Sequence, residues 1–307
     1  MKKLLYILPV LALVFLSCKE AVETTSEISE SLRPDTKTKE PVTKLSQAFK
    51  DYWYSGEAEI TSYQLEQARY GEIRNGKAVL VFVTEDFLPE VQVKADNYKE
   101  SNIPILKLNA TKTFNTGIYP YSIMQSTFFP VANNQHALKI SASVQEWCGH
   151  VYTQLNNRDD FEIISHSYFQ GEADQNFNLE KTWTENELWT KLRIDPNMLP
   201  VGEIDVIPSL EFIRLKHVEL KAYKARATLE KDSYILTFSE LNRTLKITFN
   251  PNFPFEINGW EETSNSGFGK NAKTLTTKAT KLKTLKIDYW NKKSNNDIIL
   301  RDSLNLR

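Results

Sequence analysis

The chain has 307 residues and a mass of 35.5 kDa, with 41% hydrophobic, 11% aromatic and 25% charged residues. That composition excludes a wholly disordered chain, and a mean hydropathy of -0.44 with one long apolar run excludes a polytopic helical membrane protein. The 38 basic against 39 acidic residues remove the simplest support for nucleic acid as a partner, and 10 glycines leave little material for Gly-rich phosphate loops.

The N-terminus has the layout of a processed signal. Lys2 and Lys3 precede an apolar stretch from Leu4 to Leu16, shorter than the ~20 residues a helix needs to cross a bilayer. It ends in Phe15-Leu16-Ser17-Cys18, followed by Lys19-Glu20. This segment resembles the lipobox of bacterial lipoproteins, with a small residue directly before the cysteine and Phe15 where leucine is usual. The resemblance implies a signal peptide over residues 1–17 and lipidation of Cys18. Lys19 after the cysteine implies sorting to the outer membrane, on its periplasmic face or at the cell surface. The membrane is thus the first expected partner, through the N-terminal lipid. Residues 18–44 read as the lipidated cysteine and a flexible tether, rich in Ser, Thr, Lys and Glu and free of aromatic residues.

Residues 45–307 read as a single β-rich domain, with 46–180 and 217–303 as possible halves. The dominant hydrophobic period is two. Ala58 to Ala68 is a strand, and Asn75-Gly76 before the run Ala78 to Val83 signals a hairpin, because both turn residues tolerate positive φ. Further strands are expected at Ile105–Lys112, Tyr121–Pro130, Ala137–Leu155 and Phe161–Gln170, with turns at Asn133-Asn134 and Asn156–Asp160. Two short helices follow. Thr184 to Glu187 fits a capping box, with the helix stopping near Arg193 ahead of Asp195-Pro196, and Pro208 suits the first turn of a helix carrying Leu210 to Leu215. Strands resume at 218–229, 234–239, 244–249, 255–261, 274–289 and 298–301, where the lysines of the 270s and 280s read as a solvated strand face. The expected fold class is mainly β: a large antiparallel barrel or strongly curved sheet of meanders, with two short connecting helices.

The stretches YWYSGEAEITSYQLEQARYGEIRNGKAVLVFVTEDF (52–87), VQEWCGHVYTQLNN (144–157) and FQGEADQN (169–176) resemble outer-membrane lipoproteins of flavobacterial type, a group that carries no established activity. Some of that group bear a septum-formation-inhibitor label, a family resembling nucleotide pyrophosphatases, whose Ser-rich, Arg-containing N-terminal signature has no counterpart in this sequence. More distantly, the meander-helix-meander order is similar to periplasmic β-barrel-like domains that handle lipids or bind apolar ligands.

One constellation carries candidate chemistry. Trp147-Cys148-Gly149-His150 has Val151 where a thioredoxin-type motif has its second cysteine. On a continuous strand, Glu146, Cys148 and His150 share a face. Pairing this strand with 161–170, so that Leu155 faces Phe161, sets His150 opposite His166 and Cys148 opposite Tyr168. Two such imidazoles could share a metal, with Glu172 and Asp174 nearby, although a one-residue slip would separate them. His136 and His217 read as solvated, and Glu261-Glu262 point to opposite faces.

Three readings follow. The first is a non-enzymatic envelope lipoprotein that uses no cofactor and binds a lipid, a glycan, another apolar or amphipathic ligand, or an envelope protein. The second is a metal- or Cys-dependent hydrolase built on Cys148, His150 and His166. The third is a structural subunit of an envelope complex. A tightly filled core would count against the first, and non-converging side chains against the second.

Overall fold

The computed structural model describes residues 45–132 and 136–307. The signal peptide, Cys18, the tether and the Asn133-Asn134 turn lie outside the described residues. In chain order the elements are α1 (Gln47–Trp53), β1 (Ala58–Arg69), β2 (Glu72–Leu88), β3 (Val93–Lys94), β4 (Ile103–Thr116), β5 (Tyr119–Pro130), β6 (Lys139–Glu146), β7 (Gly149–Asn157), β8 (Phe161–Ser167), β9 (Gln175–Leu179) and β10 (Trp183–Thr184). They continue with α2 (Glu185–Ile194), β11 (Gly202–Ile207), α3 (Leu210–Lys216), β12 (Tyr223–Leu229), β13 (Ser233–Phe238), β14 (Arg243–Phe249), β15 (Ile257–Ser266), β16 (Lys273–Ile287) and α4 (Leu300–Ser303).

All 16 strands form one sheet in the order β10-β11-β12-β13-β14-β15-β16-β1-β2-β4-β5-β6-β7-β8-β9, with β3 on β2. Its pairs are antiparallel except the short β10–β11 pair, and the end strands β9 and β10 are not joined, so the sheet is open. One apolar core gathers Leu65, Leu80, Leu108 and Ile123 from one arm with Leu236, Ile247 and Trp260 from the other, around Leu188 and Leu192 of α2. A second core joins Phe161 and Ile163 of β8 to Ile207 of β11 through Leu210 and Ile213 of α3. Strands remote in the sheet order therefore share a core, which they can do only because the sheet curls around α2 and α3. The curved-sheet expectation holds, and both helices lie within the curve.

The capping box forms: Thr184 Oγ1 accepts from the Glu187 N–H, and Glu187 Oε1 accepts from the Thr184 N–H at 3.0 Å. Glu187 is fully buried and accepts two further bonds, from the Ala137 N–H at 2.6 Å and His136 Nδ1 at 2.9 Å, which ties α2 to the entry of β6. His136 is thus engaged rather than solvated.

Several local expectations are corrected. The first hairpin turns at Tyr70-Gly71, where both residues have positive φ, and not at Asn75-Gly76. Asn75 and Gly76 continue β2, because a Cβ on Gly76 would sit 2.3 Å from the Thr113 carbonyl oxygen; glycine is needed there for close strand approach. The run 137–155 is two strands, β6 and β7, joined by a two-residue turn at Trp147-Cys148. Pro208 precedes the Ser209 cap of α3 instead of standing in its first turn. Residues 298–301 are helical, with Leu304 and Leu306 packing on the outer face of β1, β2 and β16. β9, β11 and α1 were not expected; each is short or lacks an alternating pattern.

Candidate functional site

The predicted cluster does not converge. Cys148 occupies the Trp147-Cys148 turn, exposed, with its N–H donating to Glu146 Oε2 at 2.6 Å. Hydrogen bonding to Glu146 and its negative charge push the thiol pKa up, which works against a thiolate nucleophile. The β7–β8 loop has three residues, Arg158 to Asp160, so Asn157 pairs with Phe161 and the register stands two residues from the expected one. His166 lies opposite Tyr152, and the position opposite His150 is reached only by extending the ladder to Tyr168, past its last pair Val151–Ser167. Both histidines are exposed, and His166 Nδ1 meets Asp174 Oδ2 at 3.3 Å. No group of three or more His, Cys, Asp or Glu side chains is placed to hold a metal among the described residues.

The polar chemistry of the molecule lies on the inner face of the sheet. Arg243 of β14 is wholly buried against the Phe212 ring, 4.1 Å from the centroid. Its guanidinium donates to both carboxylate oxygens of Glu185 on α2, and its Nη2 donates to Glu262 Oε2 of β15 at 2.7 Å. Burial alone would raise the Glu262 carboxyl, but Arg243 and Lys112 outweigh it and hold the group below its ordinary pKa. The expected alternation along β15 is present: Glu261 faces outward to Lys278 at 3.6 Å, and Glu262 faces in.

Beside this trio, Glu211 of α3 accepts from Lys112 Nζ at 2.8 Å and Gln125 Nε2 at 3.0 Å. Gln125 Oε1 in turn accepts from Asn186 Nδ2 and the Glu211 N–H, and Asn186 Oδ1 accepts from the Leu210 N–H. With Ser209 Oγ taking the Phe212 N–H, the first-turn donors of α3 are satisfied internally. The network therefore locks α3 to α2 and β5. Burial raises the Glu211 pKa, and Lys112 offsets that only in part. A carboxyl raised in the folded state contributes stability below its ordinary range, and loses it as pH rises through the folded value. Glu211→Gln removes this contribution, so the stability of the variant relative to the parent should increase as pH rises across that window. Urea titrations at a series of pH values measure this directly; a difference that stays flat would contradict the assignment.

Two spaces open from this network. A chamber of about 40 Å³, enough for a few waters, lies among Trp189, Trp260, Gln125, Glu185, Glu211 and Glu262. A larger cleft of about 360 Å³ shares Glu211 and Glu262 with it and runs between α3 and strands β1 and β15. Ala68, Phe212, Leu215 and Leu241 supply its apolar wall, while Lys216, Ser264 and Gln67 supply polar groups. Gln67 is buried, and its Oε1 has no hydrogen-bond partner among the described residues. Burial also lowers the Lys216 pKa; its ammonium donates to the Asn265 carbonyl at 2.6 Å. Tyr70 and Phe268 form the rim, with ring centroids 6.3 Å apart.

No family model and no curated protein matches this chain. Among solved structures, it is similar to a β-barrel-like protein of a domain of unknown function from Brucella abortus, with 8% identity and a TM-score of 0.36, covering 76% of this chain and 98% of that one. It is also similar to a porin-like protein from Bacteroides uniformis, with 10% identity and a TM-score of 0.22, covering 73% and 95%.

A third space, of about 460 Å³, lies on the other side of α3, between that helix and strands β7 to β9. Glu172, from the β8–β9 loop, closes over it by accepting from Arg214 at 3.0 Å and meeting His217 Nδ1 at 2.7 Å. His217 caps α3 in a left-handed conformation and opens no strand. The buried charge network was not visible as a motif, because Glu185, Arg243 and Glu262 come from three separate elements. Only the inward phase of Glu262 on its strand pointed toward it.

Proposed function

We propose that this chain is a lipid-anchored envelope binding module whose inner cleft takes an amphipathic ligand. The 360 Å³ cleft beside α3 carries this reading, because its lining combines apolar Ala68, Phe212, Leu215 and Leu241 with a few polar groups such as Lys216 and Ser264. A volume of that size is within the range of small-molecule sites, and few convergent polar groups among apolar ones suit a ligand with an apolar body and one polar end. Cys18 and the tether would hold the module at the outer membrane, the lipid supplying about 0.8 kcal/mol per buried methylene.

The anchor is tested by feeding cells a clickable fatty acid: the chain should be labelled, and Cys18→Ser should abolish the label. The cleft is tested with dansyl-undecanoate, a fluorescent amphiphile. The full chain should bind it saturably with a blue-shifted emission. Leu215→Trp, which fills the cleft, should weaken binding at least tenfold, whereas a change at exposed Tyr98 should leave it unaltered. Equal binding by the Leu215→Trp variant would refute the site.

A further inference from the structure

The 460 Å³ space between α3 and strands β7 to β9 has an apolar wall of Val151, Phe177, Leu210, Ile213, Val218 and Leu220. Thr153 and Ser165 also border it, but their hydroxyls satisfy each other at 2.7 Å. Glu219, at its margin, is paired with Lys221 at 3.0 Å. The other charged or ionisable groups of the lining are Arg214 and His217, at the C-terminal end of α3, and Glu172 from the β8–β9 loop. These three make one contact. Arg214 Nη1 donates to Glu172 Oε1 at 3.0 Å, and His217 Nδ1 stands 2.7 Å from that same oxygen. The Ser167 hydroxyl, at the end of β8, donates to Oε2 at 2.6 Å. A carboxylate therefore sits on a guanidinium, an imidazole and a hydroxyl beside an apolar space.

Arg214 is the fixed half of this contact and Glu172 the movable half. The Arg214 side chain is 9% exposed and belongs to a helix locked to α2 and β5, whereas the Glu172 side chain is 25% exposed and stands in a turn. Phe169, at the β8 end of that turn, covers the guanidinium face 4.0 Å from the ring centroid, which leaves the edge for the carboxylate. Ala173, next to Glu172, has a φ of 55°, a left-handed backbone that is unfavourable for alanine. On the other side of Glu172, a Cβ on Gly171 would meet nothing within 4 Å. The turn thus holds a strained residue and has open space around it.

The contact is also incomplete. Arg214 uses Nη1 alone, and its Nη2 makes no hydrogen bond among the described residues. A free carboxylate that takes both nitrogens gains a charge-assisted bond that Glu172 does not make. Burial lowers the Arg214 pKa, and the Glu172 charge offsets this only in part, so the cation gains from a better-fitting anion.

We propose that Arg214, His217 and Ser167 form a carboxylate site for a small ligand with an apolar body, and that Glu172 fills the site in the free protein. The Glu172 contact supplies the recognition geometry, and the apolar wall supplies the class of body; 460 Å³ is within the range of small-molecule sites. On binding, the ligand carboxylate replaces that of Glu172 and its chain lies against Phe177, Ile213 and Leu220. This site is distinct from the cleft on the other side of α3. Leu215 and Lys216 border only that cleft, and Arg214 and Glu172 only this space, although Val218 touches both. Neither reading depends on the other.

The test is calorimetric titration of the full chain with octanoate, with octanamide as the uncharged counterpart. Glu172→Ala should tighten octanoate binding by about fivefold or more, the ratio expected if Glu172 leaves the site open about a fifth of the time or less. It should leave octanamide binding unchanged. Asp174→Asn, which removes a charge from the same turn, should give no gain. Arg214→Met in the Glu172→Ala background should abolish the gain; if that variant does not fold by circular dichroism, Arg214→Lys, which keeps the charge and loses the paired nitrogens, should remove most of it. Leu215→Trp should leave the gain intact, even if it proves to have no effect on amphiphile binding in the other cleft. A folded Glu172→Ala chain that binds octanoate no tighter than the parent overturns the site. So does a gain that survives loss of Arg214, that Asp174→Asn reproduces, or that Leu215→Trp abolishes.

Discussion

Arg193→Met is expected to destabilise the protein by about 3–5 kcal/mol. Arg193 on α2 is buried with both guanidinium nitrogens on Glu59 of β1, at 2.6 and 2.7 Å. Its Nε donates to the Pro254 carbonyl at 3.0 Å, and its plane lies over the rings of Trp53 and Phe82. One side chain thus joins the inner helix to the sheet, to α1 and to the β14–β15 connection. Burial by itself would raise the Glu59 carboxyl; the Arg193 charge, its hydrogen bonds and the Tyr52 hydroxyl outweigh burial and hold the group below its ordinary pKa. Without Arg193 that carboxylate is left buried with no ion-pair partner in contact and only the more distant Lys281 to offset burial. The pair itself is worth less than the loss of one member suggests, since two charges were desolvated to make it. Arg193→Met combined with Glu59→Leu should therefore recover a substantial part of the loss. Chemical denaturation of the two singles and the double measures the coupling. A single-variant loss below about 1 kcal/mol would contradict the role assigned to the pair.

The sign of its pH dependence follows from the same geometry. A carboxyl depressed in the folded state stabilises it above the ordinary carboxyl range, and that contribution is lost as pH falls through the folded value. Glu59 and Glu262 act in this direction, while Glu211 acts in the other. Acid should therefore weaken the Arg193 and Arg243 links while relieving the burial of Glu211.

Arg243→Met should be of similar size, about 3–5 kcal/mol, and should also change the slope of stability with pH. In the parent, Arg243 neutralises Glu185 and Glu262 together. In the variant the buried Glu262 keeps only Lys112 and Lys216 as nearby cations, so burial raises its pKa instead of losing to the guanidinium. The variant should be relatively most stable in acid and lose stability as pH rises, opposite to the contribution this cluster makes in the parent. Because Glu262 lines the cleft, amphiphile binding should weaken as well, even at pH values where the variant remains folded. Thermal denaturation at three or more pH values checks the slope; an unchanged slope would show that the carboxylates do not depend on Arg243.

How much of this was legible depended on how local each cause was. The Thr184 capping box and its stop before Asp195-Pro196 were readable because both signals lie within a few residues of the helix they bound. Strand positions were readable where one face is buried and the other wet, as in β12, whose residues alternate buried and exposed from Tyr223 to Thr228. The first hairpin was misplaced because Asn-Gly is compatible with a two-residue turn without compelling one. The tie was broken by contacts remote in sequence: Gly76 must admit the Thr113 carbonyl, and Tyr70 is held in its positive-φ conformation while its hydroxyl binds Tyr121.

The expected Cys148-His150-His166 cluster failed for a related reason. Its geometry assumed one strand through Trp147-Cys148 and a five-residue loop, and the chain instead makes a two-residue turn and a three-residue loop. The buried charges lay beyond sequence reading altogether. Arg193 finds Glu59 across 134 positions and Arg243 finds Glu185 across 58, and no local pattern announces either pairing.

The central claim, that the cleft beside α3 is the ligand site, is tested most directly by photocrosslinking with a diazirine-bearing fatty acid, followed by peptide mapping. The account predicts adducts on the peptides containing Ala68, Leu215, Leu241 or Phe268, competed away by unmodified fatty acid and reduced by Leu215→Trp. Adducts confined to the outer segment 89–102, or insensitive to competitor and to Leu215→Trp, would contradict it.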